Sequence, residues 1–379
     1  MKYTQPLVIA LSTLVINIAN ANDRFTSDIE AQMKADNVPG LQVCYIEKDK
    51  LLGCYAFGWA QVNTQKMTDE SVFLWASVSK TVTAAAHMKA QELGAVDIDA
   101  DINKWLHTSI INPNGGTVTL RSLATHVGGV TDDVNVNGNA LMDTFRVIGY
   151  HNPVISLEDA VNAYFKNDAA FASAVGERNA YSNMGSALGG YVLQAAVKSD
   201  LNDFIAEQIF IPLSMDSSTF YISEVPQVKH ANHYGGNFEK WTRSEFYSFS
   251  DYPNGGLRSS ARDIVRFLAT IANGGICSGI RIFKADTVSH MLALQPQQKG
   301  AEDFPQLYGF FKENDSLGAW IGHNGGEENI ASEMWFRPLD GVGYAAFTNH
   351  ENFTSSLKLL LKKHAIALKG TGVIDVCGS

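Results

Sequence analysis

Trp75-Ala76-Ser77-Val78-Ser79-Lys80-Thr81-Val82-Thr83-Ala84-Ala85-Ala86 is the stretch around which the chain is organised. Small and apolar residues follow it, with no Pro or Gly before Gly94. That pattern predicts the start of a helix that ends at Leu93 with Gly94 as its C-terminal stop. In a helix Ser77 and Lys80 stand at i and i+3, about one turn apart on one face. A lone serine is a poor nucleophile, and an amine held neutral beside it can take its proton. The N–H groups at a helix start also favour developing negative charge. Taken alone, Ser-x-x-Lys also describes a polar pair at a helix start.

On the N-terminal side, residues 26–36 predict a first helix, stopped by Val38-Pro39-Gly40. Residues 42–46 and 51–57 then read as strands around the polar turn Glu47-Lys48-Asp49-Lys50. Such a hairpin brings Cys44 and Cys54 onto neighbouring strands. This favours Cys44–Cys54 and, by elimination, Cys277–Cys377, although four cysteines allow three connectivities and the sequence does not choose among them. Metal binding is the weaker reading, because no Cys-x-x-Cys or Cys/His pair stands at ligand spacing.

On the C-terminal side, residues 98–250 read as helices and loops. Ile102, Trp105 and Leu106 form one stripe, Thr119 is placed to cap a helix over 118–123, and 157–165 and 186–197 are further helices. The segment 230–252, with Tyr234, Phe238, Trp241, Phe246, Tyr247, Phe249 and Tyr252, reads equally as a packed surface loop or a pocket wall. Beyond Gly255 come helices over 261–271 and 287–293, strands over 308–311, 319–323, 331–336 and 343–348 with antiparallel spacing, and a last helix over 355–368. Strands at both ends with helices between predict α/β plus all-α architecture. One discontinuous α/β domain (22–85 and 255–379) carries an inserted helical domain (86–254), with a cleft between them.

Composition bounds the function. Hydrophobic content of 45% with 18% charged residues is that of a globular chain, and a formal charge of −10 without a Lys/Arg block argues against nucleic-acid partners. Residues 1–21 predict an export signal: Lys2, an apolar run from Pro6 to Ile18, and Ala19-Asn20-Ala21 as an A-x-A cleavage site. The run is short and interrupted for a spanning helix, so no stable membrane insertion is expected. The expected location is the periplasm or the exterior.

A Ser/Lys site also needs a second proton carrier, a substrate-orienting polar group and an oxyanion hole. Tyr181-Ser182-Asn183 precedes a helix, and its phenol and amide stand two residues apart in an extended turn. Ile321-Gly322-His323-Asn324-Gly325-Gly326 ends a strand, where glycines permit close backbone approach to a ligand. Taken singly, the first also describes a helix cap with a packed Tyr, and the second a Gly-rich turn with an exposed His.

Ser-x-x-Lys, Tyr-x-Asn and Lys/His-x-Gly, in this order and spacing, resemble the three signatures of the penicillin-recognising serine hydrolases. The resemblance runs from about residue 25 to 365. It is nearest the branch of class C β-lactamases, D-alanyl-D-alanine carboxypeptidases and related esterases. It implies a β-lactamase/transpeptidase-like fold, an antiparallel sheet flanked by helices. It implies Ser77 as nucleophile, Lys80 as general base and Tyr181 as partner in proton transfer. Asn183, His323, Asn324 and Gly325 would bind substrate, with His323 also tuning the Tyr181 phenol electrostatically. The N–H groups of Ser77 and Gly326 would form the oxyanion hole. No metal or cofactor is implied, and the partner is a small-molecule, peptide or ester substrate.

One departure bears on the substrate. The third motif is His323-Asn324-Gly325 where β-lactamases of this branch have Lys-Thr-Gly, so the hydroxyl that helps hold a substrate carboxylate is missing. Carboxypeptidase-like or esterase-like activity is therefore favoured over efficient β-lactam hydrolysis. The alternatives are a class C-like β-lactamase and a catalytically silent binding or receptor protein on the same fold. His230 and His233 are further candidates to flank the cleft.

Overall fold

Gly40–Glu47 (β1) and Lys50–Gln61 (β2) form the expected hairpin, with Cys44 directly opposite Cys54 and the two joined as a disulfide, Cα atoms 4.1 Å apart. The structure, a computed structural model, describes residues 24–136, 139–296 and 305–377; the predicted signal at 1–21 lies outside the described residues. Gln65–Lys66 (β3), Phe311–Asp315 (β4), Gly318–Glu327 (β5), Ile330–Phe336 (β6), Val342–Thr348 (β7) and Ile374–Asp375 (β8) complete one sheet. Its order is β4-β5-β6-β7-β1-β2-β8, with β3 on β2, and the pairs are antiparallel. Because β1 lies between β7 and β2, the two ends of the chain build the sheet together.

The helices are α1 (24–35), α2 (Ser79–Glu92), α3 (Leu120–Ala124), α4 (Leu157–Phe165), α5 (Asn183–Val197), α6 (Leu201–Ile205), α7 (Ala261–Ala272), α8 (Ala285–Leu292) and α9 (Ser355–Ala367). Both faces of the sheet are covered. Alternation sends Leu41, Val43 and Tyr45 to one face, against Phe25 and Ile29 of α1 and Leu357 and Leu361 of α9. Cys44 and Ile46 go to the other face, toward Ile264 and Leu268 of α7. Burial on both sides explains why β1 and β7 read as nearly continuous apolar runs.

Three expectations shift. The strand expected at 308–311 lies at Phe311–Asp315, because Gly309 turns with φ +75° and packs so closely that a Cβ there would collide with Ala84 of α2. The strand expected at 319–323 is ten residues long and runs to Glu327. Short strand pairs accompany the helices of the middle region, Arg146–Ile148 with Tyr247–Phe249 and Tyr234–Asn237 with Lys240–Arg243.

The second disulfide joins Cys277 to Cys377 across 100 residues, tying the chain's end to the segment after α7. α2 ends as its sequence predicts. The Ala95 N–H bonds the Ala90 carbonyl, the Gly94 N–H bonds that of Gln91, and Gly94 takes φ +76°. This is a Schellman cap. α2 is buried on nearly every side, packed on α5, α8 and the turn at Tyr252–Asn254. It is a central helix, and its N-terminal end opens into the cleft.

Candidate active site

Ser77 precedes the α-helix proper, in a 3-10 turn over Ala76–Val78. Ala76 holds φ +45°, a left-handed conformation that costs an L-residue about 1–2 kcal/mol. The surrounding bonds over-determine it. The Trp75 N–H and indole N–H donate to the carbonyls of Leu257 (2.7 Å) and Ser259 (2.9 Å), and the Ser332 hydroxyl donates to the Trp75 carbonyl at 2.8 Å. Ser79 is buried, donates to the Ala76 carbonyl at 2.6 Å and accepts the Leu257 N–H at 3.0 Å. Its hydroxyl clamps the turn, which leaves Ser77 as the hydroxyl open to the cleft. Strain held this way is characteristic of functional turns.

Lys80 Nζ lies 2.6 Å from Asn183 Oδ1, 2.7 Å from the Asn254 carbonyl oxygen and 3.2 Å from Ser77 Oγ. Two of these partners are acceptors only. A neutral amine has two N–H bonds to give them and a lone pair left for the Ser77 O–H. Burial lowers the Lys80 pKa to about 7, against the upward pull of Asp132, Glu327 and Asp251. At neutral pH a large share of the amine is therefore free to accept a proton.

The Tyr181 ring lies 4.8 Å from Lys80 Nζ, and its phenol hydrogen-bonds Ser77. Desolvation raises the phenol above its ordinary value, with Asp132 and Glu327 adding to the rise and the Ser77 bond opposing it. The residue is 42% exposed in the open cleft, so the rise is smaller than a fully enclosed phenol would feel. The direction still keeps the phenol protonated, and of the two neighbours Lys80 is the better base.

The Tyr-x-Asn stretch is held by a residue the sequence reading missed. Asp132 accepts the Ser182 hydroxyl at 2.8 Å and the N–H groups of Asn183 (2.7 Å) and Met184 (3.0 Å) at the start of α5. His126, with φ +57°, accepts the Ser182 N–H on Nδ1 at 3.2 Å. Asn254 was also missed; besides its carbonyl bond to Lys80, its side chain donates at 2.7 Å to Asp251, whose pKa burial raises to about 7. These residues sit on loops without a pattern of their own. They lie outside the quoted motifs and carry no sequence signal of their own.

His323, Asn324, Gly325 and Gly326 lie on β5. Gly325 faces the nucleophile turn so closely that a Cβ would come within 2.6 Å of the Trp75 carbonyl oxygen and 3.0 Å of the Ser77 nitrogen. Pairing with β4 stops at Gly322, and among the described residues no strand pairs with that edge of β5 from His323 to Glu327. A cavity of about 400 Å3 is lined by Ser77, Asn179, Tyr181, Gln306, Phe311, His323, Asn324 and Gly326. A depression of about 440 Å3 beside α1 and α9, lined by Asp28, Gln32 and Lys363 among others, holds no nucleophile–base pair.

The electrostatic role expected of His323 is not what the structure supports. The ring is 2% exposed, and burial, then the Lys80 charge, lower its pKa to about 3. Nδ1 bonds the Asn324 carbonyl, which puts the proton there and leaves a neutral imidazole. It packs against Phe311, ring centroids 4.5 Å apart, and supplies no positive charge. His230 and His233 are buried among Phe246 and Tyr247 and do not line the cavity. The aromatic segment divides: Phe238, half-exposed, packs edge-on against Trp241 in a surface hairpin, as a packed surface loop would. Tyr234, Phe246, Tyr247, Phe249 and Tyr252 are core residues, and none lines the cavity.

Known proteins share the fold and the family of this chain. "Protein flp" of Staphylococcus aureus (strain MW2) is 21% identical over 326 residues, 85% of this chain and 61% of the staphylococcal one. The chain thus spans less than two thirds of that relative's length. The octameric penicillin-binding protein homologue from Pyrococcus abyssi superposes with a TM-score of 0.76 at 22% identity, covering 91% of this chain and 77% of that one. D-amino acid amidase from Ochrobactrum anthropi SV3, complexed with L-phenylalanine amide, superposes with a TM-score of 0.74 at 20% identity, covering 92% and 98%. At such identities the structures share the fold. The beta-lactamase family model matches residues 25–369, and the chain belongs to that family.

Proposed function

We propose that this protein is an exported serine hydrolase that opens an amide or ester bond through an acyl-enzyme on Ser77. The observation that carries this reading is Lys80 Nζ between two carbonyl oxygens and the Ser77 hydroxyl, desolvated enough to be a base near neutrality. Ser77 Oγ attacks the substrate carbonyl carbon as its proton passes to Lys80. The oxyanion that forms is held by the N–H groups of Ser77 and Gly326, each such donor supplying about 3 kcal/mol in the transition state. Lys80 returns the proton, through Tyr181, to the departing nitrogen or oxygen as the scissile bond breaks. Water then attacks the ester, gives its proton to the same base and releases Ser77.

The neutral His323 bears on the substrate. With no cation and no Thr hydroxyl at the third motif, the leaving-group side is poorly equipped for a carboxylate. This favours simple amides and esters over β-lactams and C-terminal carboxylate peptides. Export is supported by the two disulfides, which persist in oxidising compartments, and by the predicted leader. No helix among the described residues is long and apolar enough to cross a membrane.

Intact-mass spectrometry after incubation with a fluorophosphonate tests the reading. One adduct on the wild-type protein, absent in Ser77→Ala, is expected. No adduct, or one that survives Ser77→Ala, contradicts it and would favour the silent binding protein.

A further inference from the structure

We propose that Asp251 is a positioning residue for the general base. Through Asn254 it holds the carbonyl that orients Lys80, and its carboxylate balances the ammonium that forms when Lys80 takes the Ser77 proton. The inference rests on the acyl-enzyme reading above and adds a residue to it.

The turn that carries Asp251 presents two carbonyls to α2. Lys80 Nζ donates to the Asn254 carbonyl at 2.7 Å, and the Thr83 hydroxyl, one helical turn further on, donates to the Pro253 carbonyl at 2.8 Å. On its other side the turn is pressed against α5, where a Cβ on Gly190 would come within 2.5 Å of the Pro253 ring. Asp251 ties the turn together. The Asn254 side-chain amide donates to the Asp251 backbone carbonyl and to its carboxylate, each at 2.7 Å, and the Asn254 N–H donates to the same carbonyl at 3.2 Å. Asn254 is thus anchored by its side chain to Asp251 while its own carbonyl receives the amine.

The carboxylate has no task at the substrate. Asp251 is 3% exposed and does not line the cavity. Its carboxylate accepts the Asn254 amide and its own backbone N–H, and among the described residues no Lys, Arg or His forms an ion pair with it. An Asn would accept the same bond without the cost of burying a charge. The charge has a use where a cation forms nearby, and Lys80 becomes one during acylation. The two groups act on each other: burial raises Asp251 to about 7 against the pull of the Lys80 charge, and burial lowers Lys80 to about 7 against the pull of Asp132, Glu327 and Asp251.

The other groups facing Lys80 are the Tyr181 phenol, which stays protonated, and the buried, neutral rings of His126 and His323. Asp251 in turn faces Glu327, at the end of β5, and its charge is felt by the Tyr164 phenol. Asp132 and Asp251 stand in matching relations to the amine. Each is hydrogen-bonded to a residue whose oxygen Lys80 contacts, Asp132 to Asn183 and Asp251 to Asn254. Asp132 reaches its residue through a backbone N–H, whereas Asp251 reaches Asn254 through a side chain that a substitution can remove.

The test is the rate constant of Ser77 fluorophosphonate labelling between pH 5 and 9, followed by intact mass. A rate constant does not depend on how much of a preparation is folded, so partial unfolding does not mimic the effect. Asp251→Ala is expected to slow labelling by about tenfold or more, the scale of one hydrogen bond to a charged group. Asn254→Ala should slow it to a similar degree, and the double variant no further than the slower single one, because both act through one link. Asp251→Asn accepts the same bond without the charge, so it should label faster than Asp251→Ala and move the rise in rate to lower pH. A wild-type rate in Asp251→Ala, losses that multiply in the double variant, or an unmoved midpoint in Asp251→Asn overturns the inference. If Asp251→Ala does not fold, the Asp251→Asn midpoint and the Asn254→Ala rate decide. Each of these outcomes leaves the acyl-enzyme reading intact, whereas absence of the adduct on the wild-type protein removes both.

Discussion

Lys80 and His323 show how burial decides charge at single residues. Free lysine is cationic near neutrality and free histidine titrates just below it; both are desolvated here, which lowers Lys80 to about 7 and His323 to about 3. Only Lys80 keeps a proton to exchange near neutrality. Lys80→Arg, whose guanidinium stays charged, should lower kcat/KM by about 10²–10⁴-fold, the range of general-base catalysis, as measured on p-nitrophenyl acetate. A residual rate above a tenth of wild type would count against Lys80 as base. His323→Lys should raise relative activity toward substrates with a carboxylate beside the scissile bond, read as the rate on a C-terminal carboxylate peptide against its amide. Ser77, Lys80, Tyr181, Asn183 and His323 were legible because motif spacing carries them. The neutral state of His323 was not, since its charge depends on Phe311 and the Asn324 carbonyl, contacts made only in the folded site.

Elements position these residues. The turn at Ala76–Val78 is clamped by Ser79 through two hydrogen bonds, and Asp132 fixes the start of α5 through three. Ser79→Ala removes the hydroxyl that the buried Leu257 N–H donates to, and leaves the Ala76 carbonyl with the Ser79 backbone N–H alone. It should cost about 1–3 kcal/mol in urea unfolding while slowing Ser77 labelling. Asp132→Asn should also shift the pH profile. Asp132 raises the Lys80 pKa, so neutralising it moves the rise of kcat/KM to lower pH, whereas a merely structural role would lower the rate without moving the profile. Most element bounds were legible, α4 at both ends and α2 at its Gly94 cap, because periodicity and caps are local. Asp132 was not, because a loop carboxylate meets Ser182 across 50 residues.

At the scale of the molecule, the sheet joins chain ends far apart in sequence, and β1 between β7 and β2 brings the Ser77 turn against β5. The Cys277–Cys377 bridge closes a long loop and should contribute about 2–5 kcal/mol, so the double Ser variant should unfold at correspondingly lower urea. Strands at both ends made the shared sheet legible. The length of β5 was not, because Gly-rich sequence gives a weak strand signal. The central claim is that Ser77 is activated by a neutral, buried Lys80. The most direct test is the rate of Ser77 fluorophosphonate labelling between pH 5 and 9. The account predicts a rise through a single ionisation near pH 7 to a plateau, abolished in Lys80→Arg. A rate independent of pH, or the same profile in Lys80→Arg, would contradict it.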